Sequence, residues 1–124
     1  MLLVISTTGV DADGPRDVPW LLRPLYTWLL AVPHDDKRLM EQAVRDAARD
    51  EHLVKPVTLR ASLLTDGDEC PPEQVRAAAY EPSDAVCPVI GYTISRKDVG
   101  AFIFREVIST TDSPWLGKTV SVSY

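Results

Sequence analysis

The sequence predicts an α/β fold built on a parallel sheet, and three observations carry that prediction. Strand-type and helix-type periodicities alternate along the chain. The first strand, Leu2 to Ile5, is apolar throughout, the pattern of a strand covered on both faces in a parallel sheet. The order strand, helix, helix, strand, long loop, helix, strand looks like the second half of a doubly wound domain. At 124 residues the chain holds one domain at most.

Each element has its own local reason. The opening strand ends in Ser6-Thr7-Thr8-Gly9, and a polar loop follows from Asp11 to Asp17. Val18 to Val32 places Leu21, Leu22, Leu25, Trp28, Leu29 and Val32 at helical spacing, with Pro24 kinking the helix or starting its main body. Its polar face carries only Arg23, so a core or lid helix is expected rather than a membrane-surface one. Pro33-His34-Asp35-Asp36 interrupts it, and Asp35 or Asp36 is expected to cap a second helix. There Leu39, Met40, Ala43, Val44 and Ala47 form the expected core stripe. Arg38, Glu41, Gln42, Arg45, Asp46 and Arg49 form a solvated outer face, with Glu41 and Arg45 four apart.

Pro56 to Leu59 reads as the second strand, closed by Arg60 to Gly67. Residues 66–91 form a long irregular loop rich in proline, with a strand-like patch from Val75 to Tyr80. Ser95, three residues before Asp98, is expected to cap a helix whose inner face is Val99, Phe102, Ile103 and Val107. The segment from Trp115 to Tyr124 is a glycine-containing turn and an alternating strand.

Composition excludes several functions. The balance of 13 Lys+Arg against 18 Asp+Glu, net −5, argues against nucleic acid or an anionic membrane as partner, since both call for clustered cations. No run approaches the roughly 18 apolar residues of a membrane span. The apolar start lacks the basic segment of a signal peptide, so a cytoplasmic protein is expected. Cys70 and Cys87 stand outside any metal-ligand or redox spacing and read as buried or loop thiols, and no metal is expected.

Four stretches carry a family resemblance: Val4-Ile5-Ser6-Thr7-Thr8-Gly9, Asp35-Asp36-Lys37-Arg38-Leu39-Met40-Glu41, Leu59-Arg60-Ala61-Ser62-Leu63-Leu64-Thr65-Asp66-Gly67, and Ile94-Ser95-Arg96-Lys97-Asp98-Val99-Gly100-Ala101-Phe102. In order and spacing they resemble the C-terminal half of atypical short-chain dehydrogenases. Among these the chain is most similar to the NAD(P)-binding NmrA-like group that includes flavin reductase (biliverdin IXβ reductase). The resemblance implies a partial Rossmann-like domain over residues 1–124 whose N-terminal βαβ unit is missing. It implies NADP or NAD as cofactor, and hydride transfer to a small planar carbonyl or flavin-like substrate. A truncated oxidoreductase is therefore one expectation. The other is a non-catalytic interaction or regulatory module that pairs through an exposed strand edge, with itself or with a complete homologue.

The departures from the family are informative. The six glycines, Gly9, Gly14, Gly67, Gly91, Gly100 and Gly117, cannot form the G-x-x-G-x-x-G turn that lets a backbone approach a pyrophosphate. A Tyr-x-x-x-Lys dyad is also missing, as it is in the flavin-reductase-like members. By resemblance Thr7 sits beside the nicotinamide between Ser6 and Thr8, Lys37 lies near the nicotinamide ribose, and Arg60-Ala61-Ser62-Leu63 lies under the ring. In the alternative reading Thr7 and Thr8 only satisfy backbone groups and Lys37 is solvated. His34 is a candidate proton donor near neutral pH, or a cap of the next helix. His52 reads as a surface residue. Trp20, Trp28, Trp115 and Tyr26 either line an aromatic pocket over a planar substrate or belong to the core.

Overall fold

The computed structural model describes residues 2–10, 17–24, 31–50, 55–81 and 83–124, without the side chains of residues 22, 31–34 and 50. Its main sheet has four strands in the order β1 (Leu3–Thr7), β2 (Val57–Ala61), β6 (Thr119–Ser123), β4 (Arg76–Tyr80). The first three are parallel, and β4 runs antiparallel to β6. Two short strands, β3 (Leu63–Thr65) and β5 (Thr93–Ser95), pair in parallel beyond the end of β2. Helix α1 spans Ala31–Asp50, and α2 spans Arg96–Phe102 and runs on as a wide π-turn through Ile108.

Register sorts the side chains of the main sheet onto two faces. Val57, Leu59 and Ala61 share a face with Val120 and Val122, and α2 closes it with Val99, Phe102 and Val107. Ile94 joins the same cluster, and Trp115 packs on Phe102 with ring centroids 6.0 Å apart. The opposite face carries Ser6, Thr58, Arg60, Ser121, Ser123 and Tyr80, all buried, and α1 lies over it. Helix α2 starts as its sequence predicts. The Ser95 Oγ accepts the Asp98 N–H at 3.0 Å, and Val99, Phe102 and Val107 point inward.

Several expectations need correction. Strand β1 is not covered on both faces, for Val4 and Ser6 are buried while Ile5 is 45% exposed. Leu2 accepts from Val57 N–H and Thr8 donates to the Ala61 carbonyl, so the alternate backbone groups of Leu3, Ile5 and Thr7 face away from β2. Among the described residues no strand pairs with that outer edge. Helix α1 runs unbroken through Pro33 and Asp35-Asp36, so neither aspartate is its cap. Pro33 is its third residue, where the missing N–H has no partner to lose within the helix.

The buried side of α1 is also rotated from the expected stripe. Glu41 is fully buried, whereas Leu39 is 67% exposed and Ala43 and Ala47 lie on the exposed side. The cause is the sheet beneath, which presents a guanidinium rather than an apolar surface. Strand β2 runs on through Arg60 and Ala61, beyond the end expected at Leu59. Of the helix expected from Val18 to Val32, the described residues show a 3-10 turn at Trp20–Leu22, with Trp20 and Leu21 exposed, that leads into helical Arg23 and Pro24, and Ala31 and Val32 open α1; Leu25, Tyr26, Trp28 and Leu29 lie outside the described residues. No helix among the described residues is long and apolar enough to cross a membrane.

Candidate functional site

Strands β1 and β2 end side by side, and the turns that leave them carry hydroxyls and short side chains. Gly9 takes φ +80°, a left-handed value that reverses the chain immediately after Thr8. The Thr7 hydroxyl donates to the Ala61 carbonyl at 3.3 Å, and the Thr8 N–H donates to the same oxygen at 3.1 Å. Ser62 binds the Val122 carbonyl through its N–H at 3.2 Å and its hydroxyl at 3.4 Å. Ser6 Oγ is buried and has no hydrogen-bond partner among the described residues. Leu63, the next residue along, is exposed.

Helix α1 adds cations to this end of the sheet. The Lys37 ammonium donates to the Ile5 carbonyl at 3.3 Å, on the outer edge of β1. Arg38 grips the Val10 carbonyl with Nε at 3.1 Å and Nη2 at 2.7 Å, while its Nη1 pairs with Asp35 at 3.2 Å. Thr7, Thr8, Lys37, Ala61 and Ser62 are thus gathered around the carboxyl ends of β1 and β2. The His34 side chain and all of His52 lie outside the described residues. Of the tryptophans, Trp20 is exposed, Trp115 belongs to the core, and Trp28 lies outside the described residues.

Arg60 does not reach this surface. Its Nε and Nη2 fork onto Glu41 at 3.0 and 2.6 Å, Nη1 donates to the Tyr80 hydroxyl at 3.0 Å, and Asp17 Oδ2 lies 3.6 Å from Nη1. Tyr80 donates to Asp17 Oδ2 at 3.4 Å, and Asp17 Oδ1 accepts the Gly9 N–H at 3.0 Å. Burial pushes Asp17 above the usual carboxylate range, although the Gly9 N–H and the Arg60 charge oppose the shift. Burial also drives the Tyr80 phenol upward against the Arg60 charge. Sequence reading misses Glu41, Asp17 and Tyr80 as partners. The available signal is Arg60 itself, a charge inside a strand-type run, which needs a buried acid.

A second cluster sits at the start of α2. Asp98 Oδ2 accepts from Ser95 Oγ at 2.8 Å, Cys70 Sγ at 3.3 Å and the Tyr124 hydroxyl at 2.5 Å, and Oδ1 accepts from the Cys70 N–H at 3.0 Å. Burial disfavours the charge, yet the Tyr124, Ser95 and Cys70 hydrogen bonds outweigh it and hold Asp98 below the usual range. Burial and Asp98 push the Cys70 thiol up, so it is no activated nucleophile. Among the described residues no group of three or more His, Cys, Asp or Glu could hold a metal ion.

No family model matches the chain. It is 38% identical over 128 residues to a reductase of Aspergillus terreus, pytE, covering 99% of this chain and 48% of that protein. It is 35% identical over 129 residues to an oxidase of Aspergillus niger, pynE, covering 99% of this chain and 44% of that protein. The chain therefore spans about half the length of the curated relatives it matches. Among solved structures it resembles a short-chain dehydrogenase/reductase of Veillonella parvula in complex with NADP, with TM-score 0.60 at 18% identity over 98% of this chain and 49% of that one. A Rossmann-fold NAD(P)-binding family protein of Shigella flexneri gives TM-score 0.53 at 17% identity over 99% of this chain and 45% of that one. At these identities the likeness shows the fold, which is a Rossmann-like α/β sheet matching about half of each neighbour.

Proposed function

We propose that this chain forms the nicotinamide side of an NAD(P)-dependent oxidoreductase of the atypical short-chain dehydrogenase kind, NmrA-like and related to flavin reductases. Its substrate in this reading is a small planar carbonyl or flavin-like molecule. The observation that carries the reading is that Thr7 and Ser62 stand at the carboxyl ends of parallel strands β1 and β2, with Lys37 of α1 held on the Ile5 carbonyl of β1 beside them. Crevices outside the carboxyl ends of such strands are where open α/β sheets take ligands. The reductase name of the A. terreus relative and the NADP complex of the Veillonella structure support the same reading.

The donors present fit only one end of a dinucleotide. Lys37 offers an ammonium and Thr7 a hydroxyl, which suit ribose hydroxyls and a carboxamide, while the buried Ser62 pins its turn to the Val122 carbonyl. No glycine pattern of this chain fits the pyrophosphate. The cofactor, when bound, supplies the hydride. The chain's residues orient it: Lys37 and Thr7 hold the ribose and carboxamide, Ser6, Thr8 and Ala61 frame the turn, and Leu63 offers an apolar surface to the ring. His34 is the candidate proton donor.

Calorimetric titration with NADPH and NADH tests this. The wild-type chain is expected to bind, and Lys37→Ala to weaken binding by roughly tenfold or more, the scale of one charge-assisted hydrogen bond. No binding by the folded chain up to millimolar cofactor overturns it.

A second reading rests on a separate observation, the outer edge of β1 with Leu2 and Ile5 exposed. Such an edge is a template for another strand, in a second copy or a homologue, and the chain would then act as an interaction module. Light scattering is expected to show a mass that rises with concentration, and Ile5→Lys to return it to the monomer value. A monomer at every concentration, with no capture of a homologue, removes this reading.

A further inference from the structure

The buried charges under α1 are unnecessary for burial alone. A buried ion pair is matched or exceeded in stability by well-packed apolar residues of similar size. What a guanidinium adds is direction, because its five N–H groups point along fixed lines in one plane. Among the described residues those lines reach three parts of the chain. One fork holds Glu41 of α1, and Nη1 holds Tyr80 of β4 and faces Asp17. Asp17 in turn holds the N–H of Gly9, the residue that turns the chain after Thr7 and Thr8.

Glu41 lies four residues after Lys37, on the same side of α1 one turn along. Anchoring Glu41 therefore sets the reach of Lys37 toward the outer edge of β1, where its ammonium meets the Ile5 carbonyl two residues before Thr7. Arg60 also directly precedes Ala61, whose carbonyl takes the Thr7 hydroxyl and the Thr8 N–H. One side chain thus ties together both walls of the proposed nicotinamide site from behind.

We propose that Arg60 is a positioning residue that sets the gap between the Thr7-Thr8-Gly9 turn and the Lys37 turn of α1, so that its role is geometric and not a contact with cofactor. The inference rests on the nicotinamide-site reading above for its functional meaning. Its structural content can be tested independently.

The informative variant is Arg60→Met combined with Glu41→Leu, which removes both members of the fork; Asp17 keeps its hydrogen bonds from the Gly9 N–H and the Tyr80 hydroxyl, and the partly exposed Arg45, which pairs with Glu41 at 3.2 Å, turns to solvent. The readouts are thermal melting, native-state amide exchange at Gly9 with Val99 and Phe102 as controls, and NADPH titration. The double variant is expected to melt within a few degrees of wild type. Its Gly9 amide is expected to exchange about tenfold or more faster, with the α2 amides unchanged. NADPH affinity is expected to fall by roughly tenfold, because a slack turn no longer presents Thr7 opposite Lys37.

If the double variant does not fold, Arg60→Lys keeps the charge opposite Glu41, loses the planar fork, and is expected to speed Gly9 exchange in the same direction. Unchanged Gly9 exchange in the folded variant overturns the proposal. So does faster exchange with undiminished NADPH affinity. A residue with only a structural role would lower the melting temperature and leave the local exchange ratio alone. Should wild type itself bind no NADPH, the functional reading fails, and Gly9 exchange alone still decides whether Arg60 positions the turn.

Discussion

Along β2 and β6 both faces of the main sheet are buried, yet they are built from different chemistry. Under α2, Val57, Leu59, Ala61, Val120 and Val122 meet Val99, Phe102 and Val107, a surface with no preferred direction beyond fit. Under α1, Arg60 and Tyr80 meet Glu41 and Asp17 through hydrogen bonds with a donor, an acceptor and a line between them, and Ser6, Thr58 and Ser121 lie buried on the same face. The first face is suited to holding the fold together. The second is suited to fixing where its neighbours stand. The residues gathered at the carboxyl ends of β1 and β2 hang from the second face.

Single substitutions on each face separate these tasks. The largest loss is expected for Arg60→Met alone, which leaves the fully buried Glu41 with only the partly exposed Arg45 among its described partners and costs about 3–5 kcal/mol by urea denaturation. If that variant proves as stable as the Arg60→Met, Glu41→Leu pair, the polar face is not a coupled unit. On the apolar face Leu59→Ala is expected to cost about 2–5 kcal/mol through lost burial and a cavity, while leaving Gly9 exchange rates relative to global unfolding unchanged.

Acid and base distinguish the two carboxylate clusters with opposite signs. Asp98 has its folded pKa lowered, so its contribution is present above the ordinary value near 3.9 and is lost as pH falls through the folded pKa. Asp17 has its folded pKa raised, so its contribution is present below that ordinary value and is lost as pH rises through the folded pKa. Stability measured across this range is expected to lose its acid-side decline in Asp98→Asn and its decline on rising pH in Asp17→Asn. Identical slopes in both variants would show that the clusters do not differ as described. The smallest effect, within about 0.5 kcal/mol, is expected for Arg49→Ala, whose pairing with Asp46 at 3.5 Å is exposed.

The apolar face was the more legible one in the sequence. Ser95 and Asp98 announce a helix start, and Val99, Phe102 and Val107 follow it at helical spacing, because capping and periodicity are local signals. The strand pattern of Leu2 to Ile5 marks an element but not its place in the sheet, since an edge is defined by which strands pair. Glu41 was illegible for a related reason. Four residues from Arg45, it has the look of a surface pair, and Leu39, Met40, Ala43, Val44 and Ala47 offer a plausible apolar stripe one position away. What chooses between those phases is Arg60, on another element. Asp17 likewise closes a polar run that reads as solvated loop until Tyr80 and Arg60 arrive from distant strands. Thr7, Thr8, Lys37, Ala61 and Ser62 were found by resemblance, and the fold brings them to one end of the sheet.

The strand order also constrains how this chain is made. Strand β6, the latest of the described strands, lies between β2 and β4. Until residues 119–123 have left the ribosome, β2 lacks a neighbour on one side and β4 has no partner in the main sheet. The apolar core cannot close without Val120 and Val122. Assembly therefore waits on long-range pairing, the slow class of folding event, with a strand edge open during synthesis. Nascent chains stalled before β6 are the form of this protein most in need of a chaperone.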